Sequence, residues 1–144
     1  MDKNETYSTL VKQVESLIEG ENNATGQLAN TAALLQETMG WWWTGFYLVN
    51  GDTLQLGPFQ GPVACYSIKR GRGVCGTAWE QGRTIVVPDV EEFPGHIACS
   101  SLSRSEIVVP MDKPVTAVLD IDSTELNTFD RIDAAFLELI AVLV

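Results

Sequence analysis

The 144-residue sequence contains no run of about eighteen apolar residues, so we predict no membrane-spanning helix. Residues 1–5 lack a basic segment followed by an apolar core, and we therefore expect no signal peptide and a cytoplasmic protein. Basic residues are also few, since nine lysines and arginines against nineteen acidic residues give a net charge of −10. A chain this acidic repels phosphate backbones, which argues against nucleic acid as a partner.

Cysteine and histidine are scarce as well: the chain has three cysteines, Cys65, Cys75 and Cys99, and one histidine, His96. An odd number of cysteines without an export signal argues against a structural disulfide framework. Their spacing contains no C-x-x-C knuckle, so we expect no metal site. His96 and Cys99 share one tight loop instead of coming from separate elements, which argues against a Cys-His hydrolase.

The hydrophobic pattern that is present indicates a single domain over residues 1–144. Helical spacing predicts helices over Tyr7–Ile18, Leu28–Met39 and from near Thr128 to Leu143, with a short helix over Val74–Gln81. Strands are predicted over Trp42–Val49, Thr53–Leu56, Val63–Ile68, Thr84–Val87, Ser105–Val109 and Val115–Ile121. This order favours an α+β fold, with an antiparallel sheet and helices packed mainly on one face.

The loop Pro94–Cys99 is where we expect chemistry, because a reactive side chain there is accessible while the following strand fixes the geometry. We interpret Cys99 as a nucleophile that attacks a small oxidised substrate. Cys75 is a rival, since it lies near a helix N-terminus whose dipole lowers a thiol pKa. Cys65 is placed in a predicted strand without an activator, and suits a disulfide partner better than a first attacker.

Acidic side chains are candidates for acid catalysis. Asp120 and Asp122 alternate with apolar residues, so both point to one face of their strand, about 7 Å apart. In an enclosed site such a pair resists joint ionisation, and one raised pKa would suit a general acid. The alternative for this pair, and for Glu106 at a strand end, is a solvated surface.

An aromatic run at residues 41–47 is a candidate for binding. Trp43, Gly45 and Tyr47 share one strand face, and a glycine between two large rings leaves a gap that would suit a thioether or an ammonium group. The alternative is ordinary cross-strand packing in the core.

Several short segments, taken together and in order, resemble one known family: 45–48 (GFYL), 56–61 (LGPFQG), 71–78 (GRGVCGTA), 95–99 (GHIAC), 105–108 (SEIV) and 119–123 (LDIDS). The chain resembles the free methionine-(R)-sulfoxide reductases, which are enzymes built on a GAF domain. The resemblance implies a GAF-like fold with a central antiparallel sheet of about six strands and the N- and C-terminal helices on one face. It covers nearly the whole chain, although the hairpin at residues 111–114 looks short for the family.

The resemblance also implies roles for the cysteines. Cys99 would be the attacking thiol, and Cys65 would resolve the resulting sulfenic acid as a disulfide. Cys75 would be the third cysteine of the family. The resemblance places it among the catalytic residues, and one role open to it is in regenerating the reduced enzyme. A thioredoxin-type dithiol would reduce the disulfide, no cofactor is expected, and the protein would pair as a homodimer.

For the substrate, free methionine-(R)-sulfoxide, the resemblance places Trp43 and Tyr47 around the methyl–sulfur end. The carboxylates of Glu106, Asp120 and Asp122 would hold the amino group and polarise the sulfoxide oxygen. The loop amides of Ile97, Ala98 and Cys99 would receive the substrate carboxylate. The alternative function is a GAF-type sensor that binds a small ligand without turnover.

Overall fold

A computed structural model describes residues 2–96, 99, 101–112 and 115–144. Helices α1 (Lys3–Ile18) and α2 (Ala24–Met39) open the chain, α3 (Gly73–Gln81) lies in its middle and α4 (Arg131–Leu143) closes it. The strands are β1 (Trp43–Asn50), β2 (Thr53–Gln60), β3 (Ser67–Lys69), β4 (Ile85–Val87), β5 (Ser105–Met111) and β6 (Ala117–Ser123), and a short 3-10 helix covers Val90–Glu92. In the part of the chain so described, no helix is long and apolar enough to span a bilayer.

The strands form one antiparallel sheet in the order β3-β2-β1-β6-β5-β4. Strands β1 and β6, from opposite ends of the sequence, pair at its centre, with Trp43 opposite Asp122 and Gly45 opposite Asp120. The predicted α+β architecture with an antiparallel sheet is confirmed.

Each face of the sheet carries its own hydrophobic cluster. Phe46, Leu119 and Ile121 point to the face covered by α1, α2 and α4, where all three side chains are fully buried. Trp43 and Tyr47 point to the other face, which α3 covers. Because side chains alternate along a strand, the two central strands supply both faces, and the terminal helices pack on one of them as predicted.

The helix ends follow their local sequence. Asp2, Asn23 and Asp130 are the N-caps of α1, α2 and α4, and each side chain accepts a hydrogen bond from a backbone N–H of the first turn. Helix α2 ends at Gly40, whose φ of 68° is the left-handed conformation that glycine adopts without strain.

Cys65 lies in a loop and not in a strand, which corrects the predicted strand over Val63–Ile68. The observed strand β3 begins only at Ser67. Val63 and Tyr66 are 88% and 83% exposed, so the segment before β3 has no buried face that would hold it in the sheet. Its β-branched and aromatic content therefore reflects a surface loop instead of a strand.

Candidate active site

A cavity lies on the α3 face of the sheet, where strands, α3 and several loops converge. Residues from β1, β3, β5, β6 and α3, and from the segments that precede β1, β3, α3 and β5, line it: Trp42, Trp43, Tyr47, Val63, Ala64, Ile68, Arg72, Gly73, Val74, Cys75, His96, Cys99, Ser103, Glu106, Asp120 and Asp122. The structure thus brings to one cavity every candidate site residue that it describes except Cys65, which is bonded to the lining residue Cys99. Ile97 and Ala98, expected to bind the substrate carboxylate, lie outside the described residues.

The strand register explains why the acids and aromatics meet. Trp43 of β1 is opposite Asp122 of β6, and Asp122 is opposite Glu106 of β5, so the three form one row across the sheet. Asp120 belongs to the next row on the same face, opposite Gly45. Residues that are far apart in sequence are therefore cross-strand neighbours about 5 Å apart.

The aromatic side chains form a wall of the cavity instead of an open slot. Trp43 stacks with Tyr47 at a centroid separation of 5.9 Å and with Phe59 at 5.2 Å. Gly45 is required here, because a Cβ atom would clash with Phe59 and would lie 2.7 Å from Cη2 of Trp43. The gap expected over Gly45 is thus filled by Phe59 and by the Trp43 ring itself, a correction that sequence alone could not provide.

The same aromatic wall holds the loop that carries Cys65. The indole Nε1 of Trp43 donates a hydrogen bond to the Pro62 carbonyl at 2.9 Å, and the Tyr47 hydroxyl donates to the Cys65 carbonyl at 3.1 Å. Burial raises the pKa of Tyr47, as does the nearby Asp120 charge, so the hydroxyl stays a donor at neutral pH. The Trp43 N–H and the Tyr47 hydroxyl therefore fix the backbone of the exposed loop that carries Cys65.

Glu106, Asp120 and Asp122, which we call the acid cluster, line the floor of the cavity. Glu106 and Asp120 are each 5% exposed and Asp122 is half-buried, which rules out the solvated surface as the alternative for the first two. Asp122 Oδ1 accepts a hydrogen bond from the Ser103 hydroxyl at 2.8 Å. Oδ1 of Asp120 is buried and has no hydrogen-bond partner among the described residues.

Burial raises the pKa of all three carboxyl groups of the acid cluster. For Glu106 and Asp122 the shift is well above the ordinary range, because the charge on Asp120 adds to the loss of hydration. For Asp120 hydrogen bonding offsets part of the effect of burial. Three carboxylates this close do not all ionise, so the cluster retains a proton that it can donate.

Cys75 is a buried free thiol, 4% exposed, on the first turn of α3. Its Sγ lies 3.9 Å from Oε2 of Glu106. Burial raises its pKa well above the usual value, and the charges of Asp120 and Glu106 raise it further. The predicted lowering of this pKa by the helix dipole is therefore wrong, because desolvation and neighbouring carboxylates outweigh the dipole.

Cys65 and Cys99 form a disulfide, with a Cα–Cα distance of 5.5 Å across a sequence separation of 34. Cys99 is exposed and lines the cavity, and Cys65 is half-buried. The sulfur atoms of these two cysteines are bonded to each other, whereas Cys75 is a free, buried thiol.

His96 lies beside the acid cluster, with its Nε2 4.0 Å from Oε1 of Glu106. Burial lowers its pKa, and the Asp120 charge opposes this shift only in part. The imidazole is therefore mainly neutral at neutral pH.

Trp42, Arg72 and Ser103 are among the lining residues that the sequence does not single out. Ser103 precedes β5 by two residues and falls in a stretch that the sequence predicts as irregular loop. Arg72 belongs to a Gly-Arg-Gly segment that signals a turn, and a turn does not reveal which site it faces.

Comparison with known proteins places this geometry in a family. A family model described as "GAF domain" matches residues 27–144. The chain is 46% identical to the free methionine-R-sulfoxide reductase of Escherichia coli, over 99% of this chain and 89% of that one. It is 56% identical to GAF domain-containing protein A of Dictyostelium discoideum, over 94% of this chain and 87% of that one.

A solved structure shows the same fold. The free methionine-R-sulfoxide reductase from Neisseria meningitidis, in complex with its substrate, superimposes with a TM-score of 0.97 and is 52% identical, with 99% of this chain and 88% of that chain covered. The chain therefore belongs to the GAF-domain family of free methionine-R-sulfoxide reductases.

Proposed function

We propose that the protein reduces free L-methionine-(R)-sulfoxide to methionine, with Cys99 as the nucleophile. The observation that carries this proposal is the Cys65–Cys99 pair at a cavity whose other walls are aromatic and acidic. A pair of thiols supplies the two electrons that the sulfoxide needs, and the acid cluster supplies the proton. The relatives that are named free methionine-R-sulfoxide reductases support it.

The acid cluster is suited to bind the substrate ammonium group. Asp120 Oδ1 has no partner among the described residues, and a buried carboxylate oxygen without one is expected to take a cationic ligand. A methionine sulfoxide inside a peptide has an amide in place of the ammonium and would leave this oxygen unsatisfied. We therefore infer that specificity for the free amino acid comes from Asp120 and its neighbours.

The aromatic wall is suited to the other end of the substrate. Trp43 and Tyr47 are 3% and 2% exposed and present a flat apolar surface beside the acid cluster. A thioether packs favourably against aromatic rings, and the S-methyl group would lie there. This arrangement would leave the sulfoxide sulfur between the wall and Cys99.

The chemistry balances with the residues present. The Cys99 thiolate attacks the sulfoxide sulfur while a protonated carboxyl of the acid cluster donates a proton to the sulfoxide oxygen. The oxygen passes to Cys99, which becomes a sulfenic acid, and methionine leaves. The Cys65 thiol then displaces this oxygen as water and forms the disulfide, so that two thiols are oxidised as one sulfoxide is reduced.

Cys75 has a supporting role in this scheme. Its buried thiol is protonated and donates to Oε2 of Glu106, so it would hold that carboxyl in place instead of exchanging electrons with the pair. This assignment separates it from the redox cysteines, with which the family resemblance had grouped it.

A thioredoxin-type dithiol would return the enzyme to its reduced form in the cytoplasm. Cys99 is exposed, so an incoming thiolate can reach the disulfide. We further propose that the single domain acts as a homodimer. Gel filtration coupled to light scattering tests that assignment, and a monomeric mass at micromolar concentration contradicts it.

The central test is turnover of methionine-(R)-sulfoxide with dithiothreitol as the reductant. Cys99→Ser should abolish the first turnover. Cys65→Ser, reduced beforehand and assayed after the reductant is removed, should release one equivalent of methionine and then stall at the sulfenic acid. Cys75→Ser is the matched control, and thiol counting should still show disulfide formation after substrate is added.

Two results would overturn the proposal. If wild type and Cys99→Ser both bind methionine sulfoxide and neither turns it over, the protein is a sensor of the ligand. If Cys65→Ser loses the first turnover while Cys99→Ser keeps it, the roles of the two cysteines are reversed.

A further inference from the structure

Three ligand atoms of the kind that metals prefer converge below the disulfide. Sγ of Cys75 and one carboxylate oxygen each from Glu106 and Asp120 all lie within 4.8 Å of one another. The three side chains come from α3, β5 and β6, and none is more than 5% exposed. A set of donors fixed by three packed elements is organised before any ligand arrives.

A second, independent observation points to a cationic occupant. Asp120 Oδ1 is buried, faces this cavity and has no hydrogen-bond partner in the described part of the chain. Leaving such an oxygen unsatisfied is costly, because it has lost its hydration without gaining a hydrogen bond in exchange. The substrate ammonium would satisfy it during turnover, and between turnovers the same oxygen is available to another cation.

The donor set selects among cations. A thiolate with two carboxylates suits a thiophilic divalent ion, whereas Mg²⁺ and Ca²⁺ prefer oxygen ligands alone. Zinc bonds of about 2.3 Å to sulfur and 2.0–2.2 Å to oxygen place the two ligands roughly 3.5 Å apart in a tetrahedron. The distance from Cys75 Sγ to Glu106 Oε2 is 3.9 Å, so a small side-chain adjustment closes the site.

His96 offers a nitrogen for a fourth position. Its Nε2 is 4.0 Å from Oε1 of Glu106, and the ring is half-buried at the same cavity. A neutral imidazole is a common zinc ligand. A water molecule would fill the position if the ring does not turn toward the ion.

We propose that Cys75, Glu106 and Asp120 bind a thiophilic divalent cation such as Zn²⁺, which competes with the substrate for the acid cluster. The ion replaces the thiol proton of Cys75, so one proton is released and affinity increases with pH. Binding of the metal does not depend on the reductase activity, whereas its competition with the substrate rests on the proposed function.

The disulfide makes this site testable in isolation. In the oxidised protein Cys65 and Cys99 are bonded to each other, and Cys75 is the one thiol free to bind a metal. Binding of ZnCl₂ to chelator-treated, oxidised protein should show one saturable site by titration calorimetry. The matched variants Cys75→Ser and Glu106→Gln should each weaken it by at least about tenfold.

Cobalt provides a signature that a structural effect would not reproduce. Co²⁺ added to the oxidised protein should give a thiolate-to-cobalt charge-transfer band in the near ultraviolet, and Cys75→Ser should abolish the band. Asp130→Asn removes a carboxylate that is remote from the cavity and should change neither measurement. Free methionine should reduce the apparent zinc affinity in proportion to its concentration.

Several outcomes overturn the proposal. Absence of saturable binding, or equal affinity in Cys75→Ser, would mean that zinc meets only surface carboxylates. Binding that both Cys75→Ser and Glu106→Gln leave unchanged would place the metal elsewhere, and binding that methionine alone leaves unchanged would refute the competition with the substrate. Turnover measured with a chelator present is a separate experiment, so its success or failure tests the reductase and not the metal site.

Discussion

Reduction of the Cys65–Cys99 disulfide should lower the stability of the protein by a predictable amount. The bond closes a loop over a sequence separation of 34, and opening it returns conformational freedom to the unfolded chain. The chain-entropy relation for a loop of this length gives about 4 kcal/mol near room temperature as an upper value, and we expect a loss of about 2–4 kcal/mol. With a urea dependence of about 2 kcal/mol per molar, the midpoint should fall by roughly 1–2 M.

Urea unfolding followed by tryptophan fluorescence, with and without a phosphine reductant, measures this difference. Cys75→Ser should keep the full shift, because Cys75 is not part of the bond. Cys65→Ser should show no shift, and its midpoint should match that of the reduced wild type. The Cys65–Cys99 bond, on which the expected magnitude is based, would be refuted by either of two results. One is a reductant-induced shift of the urea midpoint that disappears in Cys75→Ser, and the other is a wild-type midpoint that the reductant does not change.

Three further predictions concern different parts of the molecule. Burial raises the pKa of Asp122 above its ordinary value of 3.8, so the stability linked to this group is fully present below pH of about 4 and is lost as pH rises through the folded-state pKa. Asp122→Asn should therefore gain stability relative to wild type at pH 8 but not at pH 4, while its kcat/KM falls, and an equal gain at both pH values would contradict the shift. Tyr7→Phe removes the buried hydrogen bond of 2.6 Å from the hydroxyl to Asp133 but keeps the ring. The substitution should lower the free energy of unfolding in urea by about 1.5–3 kcal/mol, and a decrease below about 0.5 kcal/mol would contradict the prediction. Tyr66 is 83% exposed and adjoins Cys65 in sequence, so Tyr66→Ser should raise the KM for a thioredoxin-type reductant and leave turnover with dithiothreitol unchanged. Val142→Ser, which changes an exposed apolar residue on α4, is the control. Equal effects of the two substitutions would show that Tyr66 does not contact the reductant.

Sequence patterns predicted the elements well where one physical rule dominated. The stripe of apolar residues on α1 and the alternation of Leu119, Asp120, Ile121 and Asp122 on β6 each have a single period, and both appear in the structure as predicted. The strand predicted to carry Cys65 failed because β propensity was its only support. β propensity reflects how a side chain packs on a half-buried sheet, and the side chains of Val63 and Tyr66 are exposed to solvent.

The site shows the same division between local and long-range information. That Asp120 and Asp122 share a face follows from the period of a strand. The raised pKa of Cys75 does not, because it depends first on burial and then on Asp120 and Glu106, which reach Cys75 only through the packing of α3 on β5 and β6. The position of Cys75 at a helix N-terminus can be predicted from sequence. The carboxylates whose effect on the thiol pKa exceeds that of the helix dipole belong to elements whose packing the sequence does not specify.

The two faces of the sheet divide stability from chemistry. The face under α1, α2 and α4 is closed by hydrocarbon, with Phe46, Leu119 and Ile121 fully buried. The opposite face of the same strands buries the carboxyl groups of Glu106 and Asp120, and no described lysine or arginine forms an ion pair with them. Burial of their charged forms opposes folding at neutral pH. Because adjacent residues of β6 point to opposite faces, each acid in the cavity is flanked along the chain by a leucine or isoleucine in the helical core. Packing on the helical face thus stabilises β6, and it offsets the cost of leaving Asp120 Oδ1 without a partner among the described residues, as the ammonium site that we propose requires.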